Sequence, residues 1–123
     1  MDKEKTVYPK SEKFAVRIVK LSRYLCDKKK EYIISKQILR SGTSIMANLS
    51  EANCAISKND WLAKIYIALK ETSETAGWLR LLRETDYLTE KEFDSIYNDC
   101  NEIERMLSAS TKTAKRQTVN VKK

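Results

Sequence analysis

The side chains in this sequence best equipped for chemistry are three carboxylates, Glu51, Glu71 and Glu74, with a polar string ahead of them, Gln37, Arg40, Ser44 and Asn48. Carboxylates facing one another between helices can hold a metal pair or share a proton, provided they converge in a pocket that raises their pKa. The metal centres built this way in helical bundles also draw on Glu-x-x-His pairs. This chain has no histidine, which also removes the commonest general base and the Ser-His and Cys-His nucleophile pairs. The sequence therefore predicts no metal, no cofactor and no catalytic residue, and a protein that is not an enzyme.

The second set of reactive groups is cationic. Lys10, Lys13, Arg17 and Lys20 recur at steps of 3, 4 and 3, and Lys28, Lys29 and Lys30 follow. Residues 1–59 hold 13 Lys/Arg against 6 Asp/Glu, residues 60–110 hold 6 against 11, and residues 111–123 hold 5 against none. Within the net charge of +7 the signs are thus segregated, which suits a phosphate backbone or an acidic partner. Lys112, Lys115 and Arg116 extend the basic supply. No helix-turn-helix pattern, RNP motif or KH-type loop accompanies these cations, so backbone and shape recognition is expected rather than base reading.

Helical periodicity must position both sets. Phe14, Ile18, Leu21 and Leu25 mark a first helix over about 11–27. Ile34, Ile38, Ser41, Ile45, Leu49, Ala52 and Ile56 mark a second over about 31–56. Trp61, Ile65, Ala68, Thr72, Thr75, Leu79 and Leu82 mark a third over about 58–84, and Phe93, Ile96, Cys100, Ile103 and Leu107 a fourth over about 89–108. Ser57 to Asp60 and Thr89 to Glu92 have the spacing of capping boxes. Short links make successive helices antiparallel, so an all-α up-down-up-down four-helix bundle over 10–108 is expected. Residues 1–9 read as an arm and 109–123 as a basic mobile tail, because apolar spacing stops after Ser108.

The second helix carries an unusual run, SGTSIMANLSEAN, at residues 41–53. Its small residues, Ser41, Gly42 and Ala52, would admit a neighbouring helix closely. Gln37, Arg40, Ser44, Asn48 and Glu51 form a polar seam, with Glu71 and Glu74 of the third helix as expected partners. The seam reads first as a register-fixing network, and second as a carboxylate site. Tyr32, Leu39 and Met46 on the second helix, and Ile67, Trp78 and Leu81 on the third, are apolar positions off the core face. Small monomers seldom expose such patches, so self-association is expected.

The three cysteines, Cys26, Cys54 and Cys100, are odd in number and far apart, which suggests reduced thiols in a cytoplasmic protein. MDKEKTVYPK has no apolar core, so no signal peptide is expected, and no run approaches the ~20 apolar residues of a membrane span.

Taken together, Gln37-x-x-Arg40, Ser44-Ile45-x-x-Asn48-Leu49-x-Glu51, Ala68-Leu69-x-Glu71-x-x-Glu74-x-x-x-Trp78-Leu79 and Tyr87-Leu88 resemble a known pattern. It is that of the four-helix-bundle proteins first recognised in intervening sequences of bacterial 23S ribosomal RNA genes. The accessory variability proteins of diversity-generating retroelements are related to them. The likeness spans roughly residues 9–107, with Ala52 where the family usually has Gly. The resemblance implies a homopentamer with a central channel, nucleic-acid binding and, in the retroelement relatives, contact with a reverse transcriptase. The expected function is therefore a non-enzymatic oligomeric protein that binds RNA or DNA, with structured RNA favoured. The alternative is an oligomeric scaffold docking an acidic partner such as a reverse transcriptase. No membrane partner is expected.

Overall fold

The computed structural model describes the backbone of residues 2–122 and the side chains of residues 7–115. Four helices follow one another: α1 (Asp2–Asp27), α2 (Ile34–Asn53), α3 (Lys58–Glu84) and α4 (Glu90–Lys122). Each packs on its neighbours in a square, α1 on α2 and α4, and α3 on α2 and α4, while the diagonal pairs stay apart. The described residues contain no strand. The expected four-helix bundle is what forms.

The core is the apolar stripe of each helix. Phe14, Ile18 and Leu25 of α1, Ile38 and Ile45 of α2, Ile65, Leu79 and Leu82 of α3, and Ile103 and Leu107 of α4 are all essentially inaccessible to water. Burial of such side chains contributes about 1.5–3 kcal/mol each before the entropy of ordering is counted. Ile56, which continues the α2 stripe in sequence, is 94% exposed, because α2 ends at Asn53. Its position belongs to the link into α3.

The helix ends differ from the sequence reading in three further places, each with a cause. First, residues 2–9 continue α1 rather than forming an arm, and Pro9 lies inside the helix. Val7 and Ser11 are buried on either side of it, and the Ser11 hydroxyl donates to the Tyr8 carbonyl at 2.6 Å. Burial there offsets the backbone bond that proline cannot make. Second, residues 109–122 continue α4 rather than forming a free tail. Ser110, Thr111 and Ala114 are buried, and the two hydroxyls donate to Met106 and Ser108 carbonyls on their own helix. That stretch of core is built from small and hydroxylated residues, which hydropathy does not flag. The antiparallel layout puts it at the same end as Val7, so the two extensions lengthen the bundle together.

Third, α2 starts at Ile34 rather than near residue 31, and its N-terminus is capped from outside the helix. Glu31, only 8% exposed, accepts from the backbone N–H groups of Ile33 (3.2 Å), Ile34 (3.0 Å) and Ser35 (2.7 Å). Burial by itself would raise its pKa, but these three donors outweigh it and hold the carboxyl below its ordinary value. Lys30 turns the chain into this cap with a left-handed φ of 54°. At the start of α4, Thr89 and Glu92 form the reciprocal capping box, with bonds of 2.9 and 3.2 Å. Ser57 accepts from Asp60 N–H at 3.0 Å, while the Asp60 carboxylate accepts from Ile56 rather than Ser57.

Candidate nucleic-acid interface

The run SGTSIMANLSEAN resolves into contacts with two different helices. Ser41 faces α3, where its hydroxyl and that of the fully buried Thr75 lie 2.8 Å apart. Gly42 faces α1. A Cβ at that position would stand 2.7 and 2.8 Å from Ile18 Cγ2 and Cγ1. The close approach expected of this stretch is therefore made at Gly42. Ala52, where the family pattern has Gly, is buried without it.

The polar seam divides into separate pieces. Arg40 bridges to Glu71 at 3.3 Å and to Glu74, and Trp78 Nε1 donates to Glu74 at 3.0 Å. The Trp78 bond, with Arg40 behind it, holds the Glu74 carboxyl below its ordinary range against the opposing effect of burial. Glu51 pairs instead with Lys64 at 2.9 Å. The three carboxylates do not converge on one site. Asn48 donates to the Ser44 carbonyl of its own helix at 2.9 Å, and Gln37 is exposed. Asn48 thus spans no helix interface, contrary to the network reading. Among the described residues no group of three or more His, Cys, Asp or Glu could hold a metal ion.

The cationic stripe also divides. Lys10 pairs with Glu102 of α4 at 2.5 Å. Arg17 donates to Asp99 at 2.7 Å, to the Ser95 carbonyl at 3.1 Å and to the Ser95 hydroxyl at 2.9 Å. These two cations fasten α1 to α4. The sequence held a signal for this: Ser95, Asp99 and Glu102 step by 4 and 3, a polar row on the helix that a bundle must set beside α1. Lys13, Lys20, Lys28 and Lys30 are exposed and make no ion pair with any described residue. Lys29 sits 5.9 Å from the Tyr24 ring centre, and Lys115 sits 5.7 Å from that of Tyr66. Lys112 is exposed, while Arg116 lies outside the described side chains.

Between α1 and α4, the neighbours that pack least closely, a groove of about 580 Å³ opens beside Lys20, Lys91, Leu21, Tyr24, Leu88 and Ile96. Glu92, its one carboxylate, accepts from the Thr89 N–H.

The apolar positions set apart in the sequence lie partly open. Tyr32 is 60% exposed, Ile67 39% and Leu81 41%, whereas Leu39 and Trp78 pack onto the core and Met46 is half-buried. Val16, missed by the periodicity argument, is 54% exposed and flanks Met46 along a second groove between α1 and α2.

All three cysteines are free. Burial, with Glu104 adding, pushes the Cys100 thiol up to about 12, so it remains a thiol that points at the Thr72 carbonyl 3.5 Å away. No helix of the described residues is long and apolar enough to cross a membrane.

Comparison with known proteins places this arrangement. No curated protein matches the chain. A crystal structure of a protein of unknown function from the S23 ribosomal protein family of Bacteroides thetaiotaomicron is 50% identical, covering 89% of this chain and 98% of its own, with a TM-score of 0.88. The family model for the 23S rRNA-intervening sequence protein matches residues 3–109, the whole of the bundle as far as the last turns of α4. With the fold, the α2–α3 string and the family match in agreement, the chain belongs to the 23S rRNA-intervening sequence protein family.

Proposed function

We propose that this protein is a non-enzymatic, oligomeric nucleic-acid-binding protein that favours structured RNA and grips its backbone through α1 and the α1–α2 link. One observation carries the reading: Lys13, Lys20, Lys28 and Lys30 stand exposed with no carboxylate among the described residues to neutralise them. Cations that are unpaired in the free protein release counterions from a phosphate backbone without first breaking an internal bridge. A family named for an intervening sequence of 23S rRNA agrees with an RNA partner.

Assembly would multiply that surface. Exposed apolar residues stand on different parts of the bundle: Val16 flanks the half-buried Met46 between α1 and α2, and Ile67 and Leu81 lie open at separate points along α3. An apolar surface that docks on a different one of the next copy makes a head-to-tail contact, and such contacts close into a ring when the rotation between copies divides a full turn. Five copies is the number the family resemblance implies. Leu39, seven residues from Met46, and Trp78, three residues from Leu81, would border these positions, and Tyr32 would contribute from the α1–α2 link.

Binding of a labelled RNA hairpin, followed by anisotropy across a salt series, tests the reading. Affinity should fall steeply with salt. Replacing Lys13, Lys20 and Lys28 by Gln should flatten the log–log slope by about 2–3 and leave the fold intact. No binding at low salt, or a flat salt response, refutes it. A partner polymerase retained after nuclease treatment, with no RNA binding by the purified protein, would assign the same lysines to an acidic protein instead. Light scattering that reports a single chain would refute the ring.

A further inference from the structure

We infer that the groove between the C-terminal half of α1 and the N-terminal half of α4 receives one unpaired nucleotide of the bound RNA, its base against Leu21, Tyr24, Leu88 and Ile96 and its phosphate between Lys20 and Lys91. The inference rests on the nucleic-acid reading and adds to it a ligand feature that a backbone grip alone does not need.

The groove combines two chemistries that usually lie apart. One part is apolar and includes an aromatic ring, Tyr24. Beside it stand Lys20 and Lys91, both exposed and without an ion pair among the described residues. The third cation, Arg17, is held by Asp99 and Ser95, so it is a fixed positive edge rather than a mobile one. Lys20 and Lys91 outnumber the one lining carboxylate, Glu92, which also accepts from the Thr89 N–H, so the lining is net positive. A volume of about 580 Å³ lies within the range of small-ligand sites. A base in a duplex exposes only its edges, so it cannot reach an apolar wall. An unpaired nucleotide offers a flat apolar face and a phosphate joined at fixed spacing, which matches this groove. An acidic peptide offers a carboxylate and a ring only if its sequence supplies both. The apolar wall of the groove lies on the α1–α4 side, outside the positions assigned to assembly, and Lys20 alone is shared with the α1–α2 groove.

The test compares two RNA hairpins closed by the same compact, structured tetraloop, one with a fully paired stem and one with a single uridine bulged from that stem, on the full-length protein. The bulged hairpin should bind about tenfold more tightly. Tyr24→Leu, which keeps an apolar side chain against the core, should bring the ratio close to one and leave affinity for the paired hairpin unchanged. A photoreactive 4-thiouridine at the bulge provides a readout on the unmodified protein, with crosslinks expected in residues 17–24 or 88–96. Equal binding of both hairpins, or crosslinks mapping elsewhere, overturns the groove inference and leaves the backbone reading standing. Binding of neither hairpin at low salt removes both. Groove-specific binding of a glutamate-rich, phenylalanine-containing peptide, with no preference for the bulge, overturns the inference in favour of a protein ligand.

Discussion

The same substitution should have opposite effects at the two glycines of this chain. Both Gly42 and Gly77 lie inside helices, so replacing either by Ala gains about 0.8–1 kcal/mol of helix propensity. Their surroundings differ. A Cβ on Gly77 meets nothing nearer than an Arg80 nitrogen at 3.7 Å, ordinary contact with a mobile group. A Cβ on Gly42 meets Ile18 Cγ2 at 2.7 Å, Cγ1 at 2.8 Å and Cβ at 3.2 Å. Carbon atoms rest about 3.5–4.0 Å apart, so α1 would have to withdraw by most of an ångström. Those Ile18 atoms sit at the branch point, beside the main chain, and cannot swing away. Overpacking of this kind costs about 1–3 kcal/mol. Gly42→Ala should therefore lose about 1 kcal/mol net, while Gly77→Ala gains about 1 kcal/mol. The difference of about 2 kcal/mol isolates the helix contact, since the propensity gain is common to both. In thermal melts the two variants should shift by about 4 °C in opposite directions, and urea titrations should show equal slopes. Ile18→Ala opens the space, so in that background Gly42→Ala should become neutral or stabilising. Equal stabilisation at both glycines would refute the argument that α1 and α2 are held at this separation.

Three further substitutions follow from the helix ends and the seam. Glu31→Gln should cost about 1 kcal/mol at neutral pH, because a neutral amide accepts more weakly from the α2 N–H groups. The folded Glu31 carboxyl titrates below its ordinary value, so its contribution is complete above the ordinary carboxylate range and is lost as pH falls through the folded value; urea titrations from pH 7 to pH 3 should show the variant losing less than the parent. Asp86 holds a left-handed φ of 66° and closes α3 in a Schellman turn, with Tyr87 N–H on the Leu82 carbonyl at 2.9 Å and Asp86 N–H on that of Arg83 at 3.1 Å. Asp86→Gly should stabilise by about 0.5–1 kcal/mol, and a loss in a thermal melt would refute that account of the turn. Asn48→Leu should change stability by less than about 0.5 kcal/mol with unaltered sedimentation, since Asn48 bonds only its own helix; a loss above about 1.5 kcal/mol would show that it has a partner across the seam.

What was legible in the sequence was whatever expressed itself as periodicity or as a local end signal. The stripes of Phe14, Ile45, Leu79 and Ile103 fixed four helices, and α3 runs over the expected residues because its start and stop are local: a Ser57 cap and a turn after Glu84. The extensions of α1 and α4 were not legible. Their core is Val7, Ser110, Thr111 and Ala114, residues that read as surface until two helices are laid side by side. Nor was the Glu31 cap, because a carboxylate reaching forward to three N–H groups leaves no regular spacing. The seam was half legible. Arg40 did find Glu71 and Glu74, a pairing that charge and helix wheel both favoured. Asn48 did not, because short amides bond their own helix as readily as a neighbour.

The charge pattern is more informative paired than counted. Arginine and lysine divide the work in this structure. Arg17 ties α1 to α4, Arg40 ties α2 to α3, and Arg80 donates to the Tyr97 hydroxyl at 2.8 Å while Arg83 lies over the Phe93 ring at 4.1 Å. A planar fork with several donors can satisfy such fixed geometry, whereas a lysine ammonium is a hydrated point charge on a flexible stem. Lys13, Lys20, Lys28, Lys30 and Lys91 are left to water, and all belong to α1, its following link or the start of α4. Arg23 and Arg105 are also exposed, so the division is a tendency of the fold rather than a rule for every residue. Its consequence is physical. Surface ion pairs contribute only about 0–1 kcal/mol to stability, so the acidic residues of α4 could have neutralised more of α1 at little structural gain. Instead Asp99 and Glu102 take the two part-exposed cations on the α4 side of α1 and leave the other lysines bare. The basic field at that end is therefore available to a polyanion without dismantling any contact that holds the bundle together.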